Sequence, residues 1–405
     1  MSHAFPSPRS GHEVTLLEGS AQLFPALIEA IDRGQREIRL ETYIFDFAGE
    51  AAAVVAALER AGRRGVNVKV VVDGFGTPPL APARHEQLLE AGVGWRVYAP
   101  LGWLGMLWLG SWRRLHRKLC VVDGAVAFCG GINILDDWHD PNHGRLPAPR
   151  LDFAVRVTGP LVAEAEASMA RLWWRMQAVR DIRQAKLGVA LDALRAAKSG
   201  RVRRRGGPSG HSQPRAKAAL LLRDNLRNRA RIERAYRRAI GRAREEIIIA
   251  NAYFVPGRKM RLALVSAAQR GVKVRLLLQG RYEYFMQYYA ARPVYGALLH
   301  AGVEIHEYSP SFLHAKVAVI DGRWATVGSS NLDPLSLLLA REANVVIEDR
   351  PFAAQLRQRL MRAIGEGRAM SPEEYGKRPL RQRFMEHVAL ALMRLALIVQ
   401  GKKYL

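Results

Sequence analysis

Two histidines and two lysines recur in this chain at the same spacing. His116-Arg117-Lys118-Leu119-Cys120-Val121-Val122-Asp123 and His314-Ala315-Lys316-Val317-Ala318-Val319-Ile320-Asp321 both read H-x-K-x4-D. Each runs on to a small-residue turn closed by asparagine, Gly130-Gly131-Ile132-Asn133 and Gly328-Ser329-Ser330-Asn331. One such motif arises by chance in a chain of this length at roughly a few per cent. Two copies with matching downstream turns are an internal repeat.

The chemistry these residue types support is attack on a phosphodiester. Lysines supply fixed positive charge to non-bridging oxygens, where charge develops in the transition state. Asn133, Asn331 and Ser329 are candidate phosphate donors, and Gly130 and Gly131 allow close backbone approach. One neutral histidine can attack phosphorus while the other, protonated, gives its proton to the leaving alkoxide. The roles then exchange, and an acceptor hydroxyl takes the transferred group. No metal or other cofactor is expected, since no carboxylate cluster accompanies the motifs. Each histidine needs a partner on its other ring nitrogen. Asp152 follows His116, in Leu151-Asp152-Phe153-Ala154-Val155, and Glu342 follows His314, in Arg341-Glu342-Ala343-Asn344-Val345. Read in chain order, each acid is set against the histidine it follows.

The elements that must hold these residues also repeat. Ile38–Phe45 resembles Ile247–Phe254, and each strand pattern follows a helical one, Ser20–Arg36 and Asn228–Arg244. Val66–Val72 and Val272–Leu278 are near-continuous apolar strands after a helix that ends at glycine. Strands alternating with helices predict an α/β fold with a partly parallel sheet. In each motif the histidine and lysine are two apart on a strand, so both leave one face. Asp123-Gly124 and Asp321-Gly322 lie between apolar runs, a strong hairpin signal. Each motif aspartate therefore reads first as a turn residue and second as a chemical one. Cys120 and Cys129 flank the first hairpin and are expected as buried thiols.

The copies differ in one place. His116 stands eighteen positions after Tyr98, but His314 only six after Tyr308. The extra residues lie within Leu101–Arg114, which holds Trp103, Trp108 and Trp112 among leucines. They form either a loop folded into the core or an apolar patch that enters a bilayer. The expected organisation is a first repeat over 1–198 (motif 116–133), a basic Gly/Pro linker over 199–217, a second repeat over 218–370 (motif 314–331), and an amphipathic tail over 371–405. Within the first repeat, Pro160–Lys198 reads as one or two long helices.

The chain has 405 residues, with 62 Lys+Arg against 37 Asp+Glu, a formal charge of +25. That charge favours a polyanionic partner, nucleic acid or an anionic membrane. The N-terminus lacks the apolar core of a signal peptide, and no apolar run reaches the roughly 18 residues a spanning helix needs. The expected location is therefore cytosolic, or peripheral on a membrane.

The paired H-x-K-x4-D motifs resemble those of the phospholipase D superfamily, over Val14–Ile364. Within it, Leu40-Glu41-Thr42-Tyr43-Ile44, His116-Arg117-Lys118, Gly130-Gly131-Ile132-Asn133 and Arg341-Glu342-Ala343-Asn344 look like the bacterial cardiolipin synthases, most like the B-type branch in length and in lacking N-terminal membrane helices. The resemblance implies two pseudo-symmetric phospholipase D-like repeats, each a mixed β-sheet flanked by helices, with one active site at their interface. It implies phosphatidyl transfer between two phosphatidylglycerols, releasing glycerol. The motif residues His116, Lys118 and Asp123, with His314, Lys316 and Asp321, are then catalytic, with His116 the nucleophile and His314 the acid/base. The expected partner is an anionic phospholipid membrane at the cytoplasmic face of the cell membrane, not nucleic acid. Two other classes stay open: a hydrolase with the same site, acting on phospholipid or nucleic acid, and a binding protein with a dead site. The intact His-Lys pairs argue against the latter, and the Trp-rich insertion against a nucleic-acid groove.

Overall fold

The same succession of elements builds both halves of the chain. The structure is a computed structural model that describes residues 7–100, 113–183, 192, 195, 216–224, 228, 230–282, 285–333 and 340–399. The first half runs β1 (Arg9–Glu18), α1 (Gly19–Arg33), β2 (Glu37–Thr42), α2 (Ala51–Arg63), β3 (Asn67–Asp73), α3 (Pro82–Glu90) and β4 (Val93–Tyr98). A short β5 (Arg114–Leu115) leads to the hairpin β6 (Lys118–Val122) and β7 (Val126–Gly130). The ribbon β8 (His139–Asp140) and β9 (Gly144–Arg145), β10 (Phe153–Thr158) and α4 (Leu161–Arg183) complete it.

The second half begins with β11 (Ala216–Arg223), α5 (Arg231–Arg242), β12 (Glu246–Asn251), α6 (Arg258–Gln269) and β13 (Lys273–Gln279). Then come α7 (Phe285–Ala291), α8 (Tyr295–His300), β14 (Glu304–Tyr308) and the hairpin β15 (Lys316–Ile320) and β16 (Trp324–Gly328). β17 (Ala340–Glu348), α9 (Arg350–Gly365), β18 (Arg368–Ala369), α10 (Pro372–Gly376) and α11 (Leu380–Val399) end it.

The strands follow the expected patterns. β3, β12 and β13 are largely apolar runs, while β2 alternates apolar with buried charged residues, Arg39 and Glu41. All four are mostly buried on both faces, and β2 pairs in parallel with β3 as β12 does with β13. Helices cover them with one face. In α5, Ile232, Ala235, Tyr236 and Ile240 turn inward at helical spacing. In α9, Asp349 caps the first turn by accepting the Phe352 N–H, and a proline stands at its start.

β1 and β11, which the sequence patterns do not predict, join the halves. They pair antiparallel, so the sheet runs without a break as β18-β14-β13-β12-β15-β16-β17-β11-β1-β10-β7-β6-β2-β3-β4. The order reads nearly the same from either end, a pseudo-twofold centred between β1 and β11. One apolar core holds residues of both halves, among them Leu119, Val121, Phe153, Val317, Val319 and Val345. Separate cores lie in the first and second halves. Cys120 and Cys129 are free buried thiols. Cys120 pairs with Phe128 and Cys129 with Leu119, so the two point to opposite faces of the hairpin.

One element begins inside a segment assigned otherwise. β11 begins at Ala216 and so takes the last two positions assigned to the linker. The tail is docked along one side, where Ala389, Leu390 and Met393 enter the second-half core. Residues 101–112, which carry most of the Trp-rich insertion, lie outside the described residues, as do 199–215 of the linker.

Candidate active site

The histidines come together because each entry segment crosses into the other half. β5 runs parallel to the start of β17, pairing Arg114 with Ala340 and Leu115 with Arg341. The His116 N–H then donates to the Arg341 carbonyl at 3.0 Å. In the second half Leu313 bridges Leu151 in parallel, and the His314 N–H donates to the Leu151 carbonyl at 2.9 Å. The residue before each histidine is braced from β3 or β13. The Leu115 N–H donates to Asp73 Oδ2 at 2.7 Å, and the Leu313 N–H to Gln279 Oε1 at 3.1 Å.

This crossing corrects the expected partners. His116 Nδ1 lies 3.1 Å from Glu342 Oε1, and His314 Nδ1 lies 2.6 Å from Asp152 Oδ2. Each histidine uses the carboxylate of the opposite half, because the backbone next to it belongs to that half. A carboxylate on Nδ1 fixes that nitrogen as the N–H and leaves Nε2 as the nitrogen for chemistry. Both carboxylates are fully buried, at 1% (Asp152) and 0% (Glu342) exposure.

The lysines open the hairpins, Lys118 opposite Gly130 and Lys316 opposite Asn251. Lys118 Nζ donates to the His116 carbonyl at 2.9 Å, and Lys316 Nζ likewise to that of His314. Burial lowers Lys118 to about 7, with the Lys316 charge adding to the effect. Burial lowers both imidazoles as well, opposed at His116 by Glu342 and reinforced at His314 by Lys316 and Lys118. Burial thus disfavours charge on either ring, and on the His314 side the proton is shared with Asp152, which burial raises to about 7.

Five other candidates are placed as follows. Asp123 and Asp321 stand at the far ends of the hairpins, with φ of 53° and 50°. Asp123 accepts the N–H groups of Gln35, Arg36 and Glu37 at 2.8–2.9 Å. Asp321 does the same for Arg244, Glu245 and Glu246. They lock the turns to the strands beside them and do not reach the histidines. Ser329 donates its hydroxyl to Glu342 and accepts the Ala343 N–H at 3.1 Å, so it supports a carboxylate and is not aimed at phosphate. Asn133 Oδ1 accepts the Ile44 N–H at 3.1 Å, which ties the turn to the exit of β2. Asn331 is buried at the matching place, at 1% exposure.

The glycines have a steric reason other than phosphate approach. A Cβ on Gly131 would lie 2.3 Å from Asp152 Oδ1. Asp152 is one methylene shorter than Glu342, so its carboxylate lies closer to the turn. Glycine admits it in the first half, where the second half has the Ser329 hydroxyl.

Two features escaped the sequence reading. The Tyr43 ring lies 4.9 Å from the His116 ring and 5.5 Å from Lys118 Nζ. In the repeat alignment Tyr43 stands opposite Ala252, which was its signal. Arg117 forms a fully buried pair with Glu41 and donates to Ser168 Oγ at 2.8 Å. Its counterparts are Ala315 and Ala250, so the pair is present or absent as a unit. Among the described residues, no three His, Cys, Asp or Glu side chains are grouped to hold a metal ion.

A cleft over the ends of β12 and β13 is lined by Tyr253, Gln279, Arg281, Tyr288 and Arg292. An aromatic cluster falls here. Tyr288 and Tyr289 stack edge to face at 5.2 Å, and Tyr282 is 51% exposed. Tyr284 and the Phe285 side chain lie outside the described residues.

Comparison with known proteins gives consistent results. A family model described as cardiolipin synthase, PLD-like domain, matches residues 27–144 and 236–364. Cardiolipin synthase B of Salmonella typhi is 40% identical over 365 residues, 88% of this chain and 81% of that protein. The cardiolipin synthase B of Escherichia coli K12 is 39% identical over 361 residues, 87% of this chain and 80% of that one. Among solved structures, the phosphatidylserine synthase of Haemophilus influenzae Rd KW20 matches with a TM-score of 0.68 at 13% identity, covering 99% of this chain and 98% of that one. At that identity the likeness speaks for the fold alone.

Proposed function

The chain belongs to the cardiolipin synthase family of phospholipase D-like enzymes, and from that premise we propose that it transfers a phosphatidyl group from one phosphatidylglycerol to a hydroxyl of another, giving cardiolipin and glycerol. The observation that carries this reading is the crossed pairing of two histidines with two buried carboxylates beside two lysines. His116 Nε2 attacks phosphorus while its Nδ1–H is held by Glu342. The bond from phosphorus to the headgroup glycerol breaks, and glycerol leaves with a proton from His314. The phosphatidyl group now rests on His116. His314 takes the proton from the headgroup hydroxyl of a second phosphatidylglycerol, whose oxygen attacks phosphorus and frees His116. Lys118 and Lys316 neutralise the non-bridging oxygens throughout. The amide ends of Asn133 and Asn331 are the further donors.

The substrates are bilayer lipids, and no helix among the described residues is long and apolar enough to cross a membrane. Peripheral docking on the cytoplasmic face fits the surface. Leu380, Phe384, Leu392 and Leu395 of α11 are all exposed, at 80%, 67%, 47% and 57%. Arg381 and Arg383 flank them. α11 packs on α7, which follows the cleft above β12 and β13. The apolar stripe thus lies at the site's end of the sheet, where acyl chains would remain in the bilayer.

Purified protein with phosphatidylglycerol vesicles, its products separated by lipid chromatography, tests the reaction. Cardiolipin plus glycerol is expected. Phosphatidic acid as the sole lipid product would identify a hydrolase instead.

A further inference from the structure

The two half-sites share a backbone plan but carry opposite charge behind their carboxylates. Arg223 ends β11 directly opposite Glu342 of β17 in the antiparallel register. Directly opposed partners put their side chains on one face, with Cβ atoms roughly 5 Å apart. Arg223 is 1% exposed and among the largest fully buried side chains. The matching place beside Asp152 belongs to Gly19, whose N–H donates to the Asp152 backbone carbonyl at 2.9 Å. That position is a glycine and carries no side chain of its own, while Arg150 acts on Asp137 and His314 from beyond it. An acid stands beside it: a Cβ on Gly19 would lie 3.0 Å from Asp137 Oδ2, and Asp137, 5% exposed, accepts the Ser20 N–H.

We propose that Arg223 and Asp137 set the polarity of the reaction, Arg223 keeping the Glu342–His116 pair unprotonated for attack and Asp137 keeping a proton on the Asp152–His314 pair for the leaving alkoxide. Both are positioning residues that act through the carboxylates. The proposal rests on the transfer reading above and specifies the division of labour within it.

The electrostatics agree. Burial pushes Glu342 up, but His116, the hydrogen bond to it, Lys118 and Arg223 together outweigh burial and hold it below the usual carboxyl range. Burial pushes Asp152 up to about 7 against the Lys316 and Lys118 charges, and Asp137 adds to the rise. The groups that face Glu342 are His116, Lys118, Arg223 and the Cys129 thiol. Those that face the Asp152–His314 pair are Lys316, Lys118, His116, Arg150 and Asp137. Asp137 itself faces Ser20, Arg150 and Glu50, and burial raises it to about 6, so it is mostly ionised at neutral pH. The Asp152–His314 pair thus holds a shared proton near neutrality, and the Glu342–His116 pair does not.

The test is the pH profile of cardiolipin synthesis in wild type, Arg223→Lys, Arg223→Met and Asp137→Asn. Mass spectrometry of neutral-quenched turnover mixtures also locates the phosphatidyl-histidine. Without the guanidinium the Glu342–His116 pair takes up its proton more readily. Arg223→Met therefore moves the acid limb up by about one pH unit, and Arg223→Lys restores it. Without the carboxylate the Asp152–His314 pair loses its proton more readily, so Asp137→Asn moves the alkaline limb down. The adduct is expected on His116. If Arg223→Lys and Arg223→Met lose activity alike with both limbs in place, Arg223 is a packing residue and the proposal is overturned. An unmoved alkaline limb in Asp137→Asn overturns it as well, whether or not Arg223→Met folds, and so does a wild-type adduct on His314. Phosphatidic acid as the sole wild-type product would sink the transfer reading, while the limb shifts would still read out on hydrolysis.

Discussion

Asp123 ends the repeated motif, yet it stands at the other end of β6 from Lys118, roughly 17 Å away along five strand residues. Its backbone is left-handed, which aspartate tolerates better than most residues. Its carboxylate collects three N–H groups. Asp123→Ala is therefore expected to cost on the order of 3 kcal/mol of stability, from the strained backbone and the lost charged hydrogen bonds. Activity per folded molecule should stay within a few-fold of wild type. The pH dependence has a definite sign. Burial raises the Asp123 carboxyl, but the Glu37, Gln35 and Arg36 N–H groups and the Arg36 charge bring it below its ordinary value. Its stabilisation is thus complete above the unfolded value of about 3.9 and lost as pH falls through the folded one. Denaturant unfolding of the two proteins should give a gap that narrows in acid to the part left by the strained backbone. A folded Asp123→Ala protein without activity would return this residue to the chemistry.

At the scale of elements, sequence periodicity marks the strands and helices that build each half and the hairpins that carry the lysines. Crossed pairing is not legible there, because it depends on which backbone lies beside each histidine, a long-range matter. β1 and β11 escaped because their alternation is irregular and charged residues fall inside them. Ser329 looked like a phosphate donor because sequence shows a hydroxyl but not the carboxylate that engages it. The Arg117–Glu41 pair was visible in principle, since both partners become alanine in the second copy. That exchange supports a further expectation. Arg117→Ala alone should destabilise by about 3–5 kcal/mol, because it strands a buried carboxylate. The double variant Arg117→Ala with Glu41→Ala should be the more stable of the two, and a double-mutant cycle on denaturant unfolding measures the difference. Equal losses in the single and double variants would show that Glu41 is not held by Arg117.

For the whole molecule, the pseudo-twofold makes one site from two half-sites, and among the described residues an apolar helix stripe lies at one end. The site could be read from the sequence because it repeats. The proposed membrane face could be read from the sequence only as two alternatives, the Trp-rich insertion and the amphipathic tail, since nothing local says which side of a helix is covered. Burying Phe384 and Leu392 in an interface is worth roughly 1.5–3 kcal/mol each. Phe384→Glu with Leu392→Glu should therefore abolish flotation with phosphatidylglycerol-rich vesicles at moderate salt and spare turnover of detergent-dispersed lipid. Flotation equal to wild type would place the docking surface elsewhere.

The central claim is that phosphorus passes through a covalent histidine adduct, with two in-line displacements at one site. The most direct test uses phosphatidylglycerol of known configuration at an isotopically labelled, chiral phosphorus and reads the configuration of that phosphorus in the cardiolipin product. Two displacements predict overall retention. Inversion would mean that the second lipid attacks the first directly, and it would contradict the account.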